Sequence, residues 1–94
     1  METLAVTKPG KTKIELLDSL KNILEKYKDQ LEDYNGEVTE ITDGYKVKGS
    51  KFLFHLEAEI TAENGSYIIK YESNAPQHYV DKGIDIVKDT LRAA

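Results

Sequence analysis

The chain has 94 residues, with 17 acidic and 13 basic side chains, a net charge of −4 and 39% hydrophobic residues. That length leaves room for one domain, residues 1–94, built on one modest core. The acidic balance argues against a general affinity for nucleic acid, whose phosphates need a basic excess. No cysteine is present, which removes disulfides, thiolate nucleophiles and thiolate-zinc sites and fits a cytoplasmic setting.

The N-terminus lacks the basic start and apolar run of a signal peptide. No apolar stretch approaches the roughly 18–20 residues of a membrane span. The longest uninterrupted one is Phe52-Leu53-Phe54.

Thr3–Thr7 reads as a short edge strand with Leu4 and Val6 on one face, stopped by Pro9-Gly10. Thr12-Lys13-Ile14-Glu15 is a capping box. The apolar residues that follow, Ile14, Leu17, Leu20, Ile23, Leu24, Tyr27, Leu31 and Tyr34, recur at helical spacing. They predict one helix of about 22 residues, roughly 33 Å long, ended by Asn35-Gly36.

From Glu37 to Ser73 the period becomes two. Phe52, Phe54, Leu56, Ala58, Ile60 and Ala62 alternate with polar neighbours, as in an antiparallel sheet covered on one face. Asn64-Gly65 predicts a hairpin that sets Ile60 against Ile69, Ala58 against Tyr71 and Glu59 against Lys70. Upstream, a Gly49-Ser50 turn pairs Val47 with Phe52 and Tyr45 with Phe54. A three-residue loop, Thr42-Asp43-Gly44 with Gly44 left-handed, pairs Ile41 with Tyr45.

Asn74-Ala75-Pro76 opens a second helix, with Val80, Ile84, Val87 and Leu91 as its stripe. Gly83 lies one residue off that stripe and marks either a close approach to the sheet or the true helix start. The assembled reading is β-α-β-β-β-β-α. It is an α+β two-layer sandwich, with a four- to five-stranded antiparallel meander and two helices on one face.

Few residues carry recognisable chemistry. His78 with Asp81 and Asp85 has metal-ligand character along one helix side, yet a solvated surface is the simpler account, so no metal is assigned. The row Glu57, Glu59 and Glu63 lies on the outer sheet face, where Lys46, Lys48, Lys51 and Lys70 neutralise it. No phosphate loop, no G-x-S-x-G and no H-E-x-x-H motif occurs. No catalytic residue and no cofactor is assigned, and the chain is read as non-enzymatic.

The tyrosines are the candidate ligand-binding set. Tyr45, Tyr67 and Tyr71 point into the apolar layer, with Tyr27 and Tyr79 approaching from the helices. Their hydroxyls would give an apolar cavity a few placed polar groups. Leu53 and Ile68 fall on the outer face and point to a contact with a partner or a second copy.

Three features resemble one small bacterial family. They are the short strand with its long helix, the segment Ile41-Thr42-Asp43-Gly44-Tyr45-Lys46-Val47-Lys48-Gly49, and the run Phe54 to Ile60 leading to Tyr67-Ile68-Ile69-Lys70-Tyr71. The family is the polyhydroxyalkanoic acid system proteins, and the resemblance implies an association with storage-polyester granules or their proteins. The topology is also similar to a reduced helix-grip fold. The expected function is a small binding or interaction module that meets a protein partner or itself. The alternative is a carrier of a small apolar ligand held between sheet and long helix.

Overall fold

The computed structural model describes residues 1–94. Its first helix begins where the capping box places it. The Glu15 amide donates to Thr12 Oγ1 at 3.3 Å, and the Thr12 amide donates to Glu15 Oε1 at 3.2 Å. The elements in chain order are β1 (Glu2–Thr7), α1 (Lys13–Lys26), α2 (Lys28–Asp33), β2 (Glu37–Ile41), β3 (Gly44–Lys51), β4 (Phe54–Glu63), β5 (Ser66–Ser73) and α3 (Gln77–Ala93). The strands form one antiparallel sheet in the order β1-β5-β4-β3-β2.

The sheet is thus a meander of β2 to β5 with β1 added at its far edge. Both long helices cover one face, as the alternating strands require. The core between the layers is formed by Val6 from β1, Leu16 and Leu20 from α1, Ala58, Ile60 and Ala62 from β4, Tyr67, Ile69 and Tyr71 from β5, and Ile84 and Leu91 from α3. No helix is long and apolar enough to cross a membrane.

The β4–β5 hairpin has the register expected from Asn64-Gly65: Glu63 faces Ser66, Ile60 faces Ile69 and Ala58 faces Tyr71. Gly65 takes the positive φ of that turn, 85°.

The other two turns differ from the sequence reading. The β2–β3 loop has two residues, Thr42 and Asp43, so Ile41 faces Gly44 and Glu40 faces Tyr45. Asp43, not Gly44, carries the positive φ, 62°, which a short polar side chain tolerates. Gly44 is required for another reason, because a Cβ there would collide with the Ile60 carbonyl on β4.

The β3–β4 turn lies at Phe52-Leu53, three residues beyond Gly49-Ser50. Lys51 faces Phe54, Val47 faces Ala58 and Tyr45 faces Ile60. The alternation is kept under this shift, so the apolar pattern alone did not distinguish the two registers.

The predicted long helix is interrupted at Tyr27 (φ −99°, ψ 12°), which caps α1 and precedes the six-residue α2. No proline or glycine marks the break. Asn35, with φ 52°, then turns the chain into β2. In α3, Gly83 sits inside a regular helix and a Cβ there would meet nothing within 4 Å. It marks neither a close approach nor a helix start.

Candidate functional site

Apolar residues at consecutive positions cannot all face one side of a strand. Phe52-Leu53-Phe54 is such a run, and the fold resolves it by placing Phe52 and Leu53 in the turn between β3 and β4. There Phe52 is 90% exposed and Leu53 88% exposed. Phe54 and Leu56 have the same parity along β4 as the buried Ala58 and Ile60, yet they are 44% and 39% exposed. Burial on this face therefore fades toward the turn.

Val38 on β2, facing Val47, and Tyr34 at the end of α2 add further exposed apolar surface. Tyr34 is tied to the same end of the sheet, since its carbonyl accepts from the Ser50 amide at 2.8 Å. Lys51 Nζ lies 4.9 Å from the Tyr34 ring centroid and 5.8 Å from that of Phe52, within cation–π range. The hairpin tip is thus an aromatic and aliphatic projection with one cation among its rings.

Phe52 is unusual in its backbone as well, with φ 57°. Positive φ disfavours any residue with a Cβ, by about 1–2 kcal/mol in the left-handed helical region. When the first central residue of a two-residue hairpin turn has positive φ, glycine is the favoured residue. Neither burial nor backbone conformation explains a phenylalanine here.

The outer face of the sheet is a charged lattice without a helix over it. Lys46, Glu59 and Lys70 stand in one row across β3, β4 and β5. Lys46 Nζ also reaches Glu57 Oε1 at 2.6 Å. That hydrogen-bonded pairing holds the Glu57 carboxyl below its ordinary value and raises the Lys46 ammonium. These are ionised, mutually paired groups, without the proton held out of place that acid–base work requires.

The five tyrosines are distributed over different surroundings. Tyr67 is fully buried, and its hydroxyl donates to the Leu16 carbonyl of α1 at 2.7 Å. Burial raises its pKa, against a smaller opposing effect of the Ser19 hydroxyl. Tyr71 is buried and donates to Glu2 Oε2 at 2.7 Å; that bond to a carboxylate, with burial second, raises its pKa. Tyr45 packs against the core from β3.

These three share the inner sheet face, with Tyr45 opposite Ile60 and Tyr71 opposite Ala58. Tyr27 lies elsewhere, in an open depression of about 400 Å³ between α1 and the end of α3, with Ile23, Thr90 and Ala93. Tyr79 does not approach the layer. It is 61% exposed and rests against the His78 ring at 4.1 Å between centroids. A second depression, about 170 Å³, lies where Glu2, Tyr71, Ser73, Gln77 and Val80 meet.

No three His, Asp or Glu side chains come together as a metal site, and His78, Asp81 and Asp85 do not form one. Leu53 belongs to the turn, whereas Ile68 stands half-buried on the outer face. The residues that sequence reasoning missed are Phe52 and Phe54, assigned to the core. The available signal was the broken alternation of Phe52-Leu53-Phe54 itself. No protein-family model, no curated protein and no solved structure matches the chain.

Proposed function

We propose that the chain is a non-enzymatic interaction module that engages a partner through the β3–β4 hairpin tip. One observation carries this reading: Phe52 is a large apolar residue held at positive φ and almost wholly in water. Folding gains nothing from that side chain at that position, so its retention is accounted for by a contact outside the chain. Leu53, Phe54 and Leu56 extend the same apolar surface, and aromatic anchors of this kind dominate binding energy at interfaces.

A photo-crosslinking residue at position 52 tests the proposal in cells. Discrete adducts are expected from position 52 and none from position 59 on the outer sheet face. Leu53→Asp should abolish them while leaving the fold intact. An absence of adducts from position 52 refutes the proposal.

The resemblance to polyhydroxyalkanoic acid system proteins supports a storage-polyester granule, or a protein on it, as the surface met. Co-sedimentation of the chain with polyhydroxyalkanoate particles, lost in Leu53→Asp, tests that narrower form. A second reading, a carrier of a small apolar ligand, is favoured by the depression beside Tyr27, whose volume is in the range of small-ligand pockets. A thermal shift across a fatty-acid panel, abolished by Tyr27→Asp, would support it; no shift removes it.

A further inference from the structure

The two free edges of the sheet are guarded differently. On β2 the edge-facing residues follow from the ladder: Ile41 and Gly44 close the β2–β3 hairpin, so Ile41, Thr39 and Glu37 bond inward to β3. Val38 and Glu40 turn their backbone groups outward. Glu40 stands opposite Tyr45 on the apolar face. Any strand added there would desolvate Glu40, and a second β2 would bring only further glutamates, Glu37 and Glu40. This is a protected edge.

β1 carries no such guard. Glu63 and Ser66 close the β4–β5 hairpin, so Tyr67, Ile69 and Tyr71 bond toward β1. The Lys8 amide donates to Gly65 O at 2.7 Å, in the same phase. Glu2, Leu4, Val6 and Lys8 are therefore the β1 residues bonded to β5, and Thr3, Ala5 and Thr7 turn their N–H and C=O groups to the free edge. All three are exposed. No turn, loop or cap takes up their backbone groups, and the strand holds neither proline nor an interior charge.

We infer that this edge is the seat of a second copy of the chain, paired β1 to β1 antiparallel about a twofold axis at Ala5, making one ten-stranded sheet. Strand parity and charge meet in this register, the charges selecting it among those that parity allows. The outward groups coincide: Ala5 faces Ala5, and Thr3 faces Thr7 of the second copy, so each outward N–H meets an outward C=O. The faces coincide, because residues of equal parity stand opposite each other and both helical layers fall on one side.

The charges also coincide. Glu2 faces Lys8 of the second copy at both ends, with Leu4 against Val6 between them, and threonine pairs line the outer face. A shift of two residues in either direction breaks both charge pairs and shortens the ladder. Pro9, with no N–H, ends it.

Sedimentation equilibrium of the intact chain is the first measurement. The mass is expected to rise with concentration from 10.6 kDa toward twice that value. Hydrogen exchange at Thr3, Ala5 and Thr7 should slow in parallel. Ala5→Pro removes the central N–H, which β5 does not use, and should give a single-chain mass with an unchanged circular dichroism spectrum.

Glu2→Lys and Lys8→Glu test the seam by charge. Because Glu2 also accepts from the Tyr71 hydroxyl and Lys8 Nζ donates to the Arg92 and Ala94 carbonyls within the chain, each variant's circular dichroism spectrum is compared with the parent's. Each alone places like charges at the seam and should stay monomeric. Mixed in equal amounts, they should form a heterodimer, because every pair across the seam is then complementary. A single-chain mass up to millimolar concentration overturns the inference. So does a dimer that survives Ala5→Pro and the two charge variants but disappears in Leu53→Asp, which would move self-association to the hairpin tip.

Discussion

Gly44→Ala is the substitution that separates a conformational role for this glycine from a spatial one. Gly44 begins β3 and lies against β4, where it is buried. A Cβ there would stand 2.7 Å from the Thr61 Cα and 2.8 Å from the Ile60 carbonyl carbon, and closer still to the Ile60 oxygen. Ordinary contacts of this kind begin at 3.4 Å, so the two strands must separate by about 0.7 Å or more. Every obstructing atom belongs to the backbone of a central strand and has no rotamer into which to retreat.

Overpacking of a core costs about 1–3 kcal/mol, and this site belongs at the upper end of that range. A domain of this size has about 5–15 kcal/mol in hand. At about 4–8 °C per kcal/mol, Tm should fall by roughly 12–24 °C for a loss of about 3 kcal/mol. Thermal melts followed by circular dichroism, with urea unfolding to check that the slope is unchanged, measure it. Gly44 does not hold a positive φ, so the cost is one of space, and Gly44→Asn, which puts a larger side chain on the same Cβ, tests it. It should be at least as damaging as alanine. A Tm within about 2 °C of the parent for either variant refutes the close-approach argument.

Four further outcomes follow from the same geometry. Gly83→Ala, in open space within α3, should stabilise the fold by about 1 kcal/mol, read as a higher urea midpoint. Tyr67→Phe removes the hydroxyl bonded to the Leu16 carbonyl and should cost about 0.5–1.5 kcal/mol in the same assay. Phe52→Gly should raise Tm, because it relieves the positive φ, while abolishing crosslinking from the tip by a probe placed at Leu53. Glu15 and Glu57 have carboxyls held below 4.5, by the Thr12 capping bonds and by Lys46 respectively. Their contribution is complete above 4.5 and is lost as pH falls through the lower folded values, so the double variant Glu15→Gln, Glu57→Gln should flatten the acid limb of a Tm–pH profile.

The sheet and its helical cover were legible because one-sided burial imposes a period on every element. The Glu59–Lys70 pairing and the Ile60–Ile69 pairing follow from Asn64-Gly65 alone, since a two-residue turn leaves one register. β1 as an edge strand followed from its length and from Pro9.

The β3–β4 register was not legible by the same means. Sliding the turn from Gly49-Ser50 to Phe52-Leu53 preserves parity, so Tyr45 and Val47 meet apolar partners either way. Gly44 was assigned to the wrong physical cause because sequence shows that a glycine is needed and not why. The break at Tyr27 has no sequence mark at all, since ψ 12° at a tyrosine is a tertiary outcome. The candidate tyrosines were placed correctly by strand parity at positions 45, 67 and 71. Tyr79 faces water because it lies a full 100° round the helix from the Val80, Ile84, Val87 and Leu91 stripe.

That break at Tyr27 also explains why an apolar surface is left open. β4 has 10 residues and spans roughly 33 Å. An unbroken helix from Thr12 to Tyr34 would have the same length and could cover it. The α1 that forms has 14 residues, about 21 Å, and α2 buries none of its side chains. The strands therefore outrun their cover by about a third of a strand, and burial on the inner face declines in the order Ala58, Leu56, Phe54 toward the turn.

A fold selected only for stability would place polar residues on the uncovered stretch. This chain continues the core alternation through Phe54 and ends it with Phe52 and Leu53. On the reading proposed above, the chain's own helices cover the Ala58 end of the inner face and a partner's surface would cover the end at Phe54, Phe52 and Leu53.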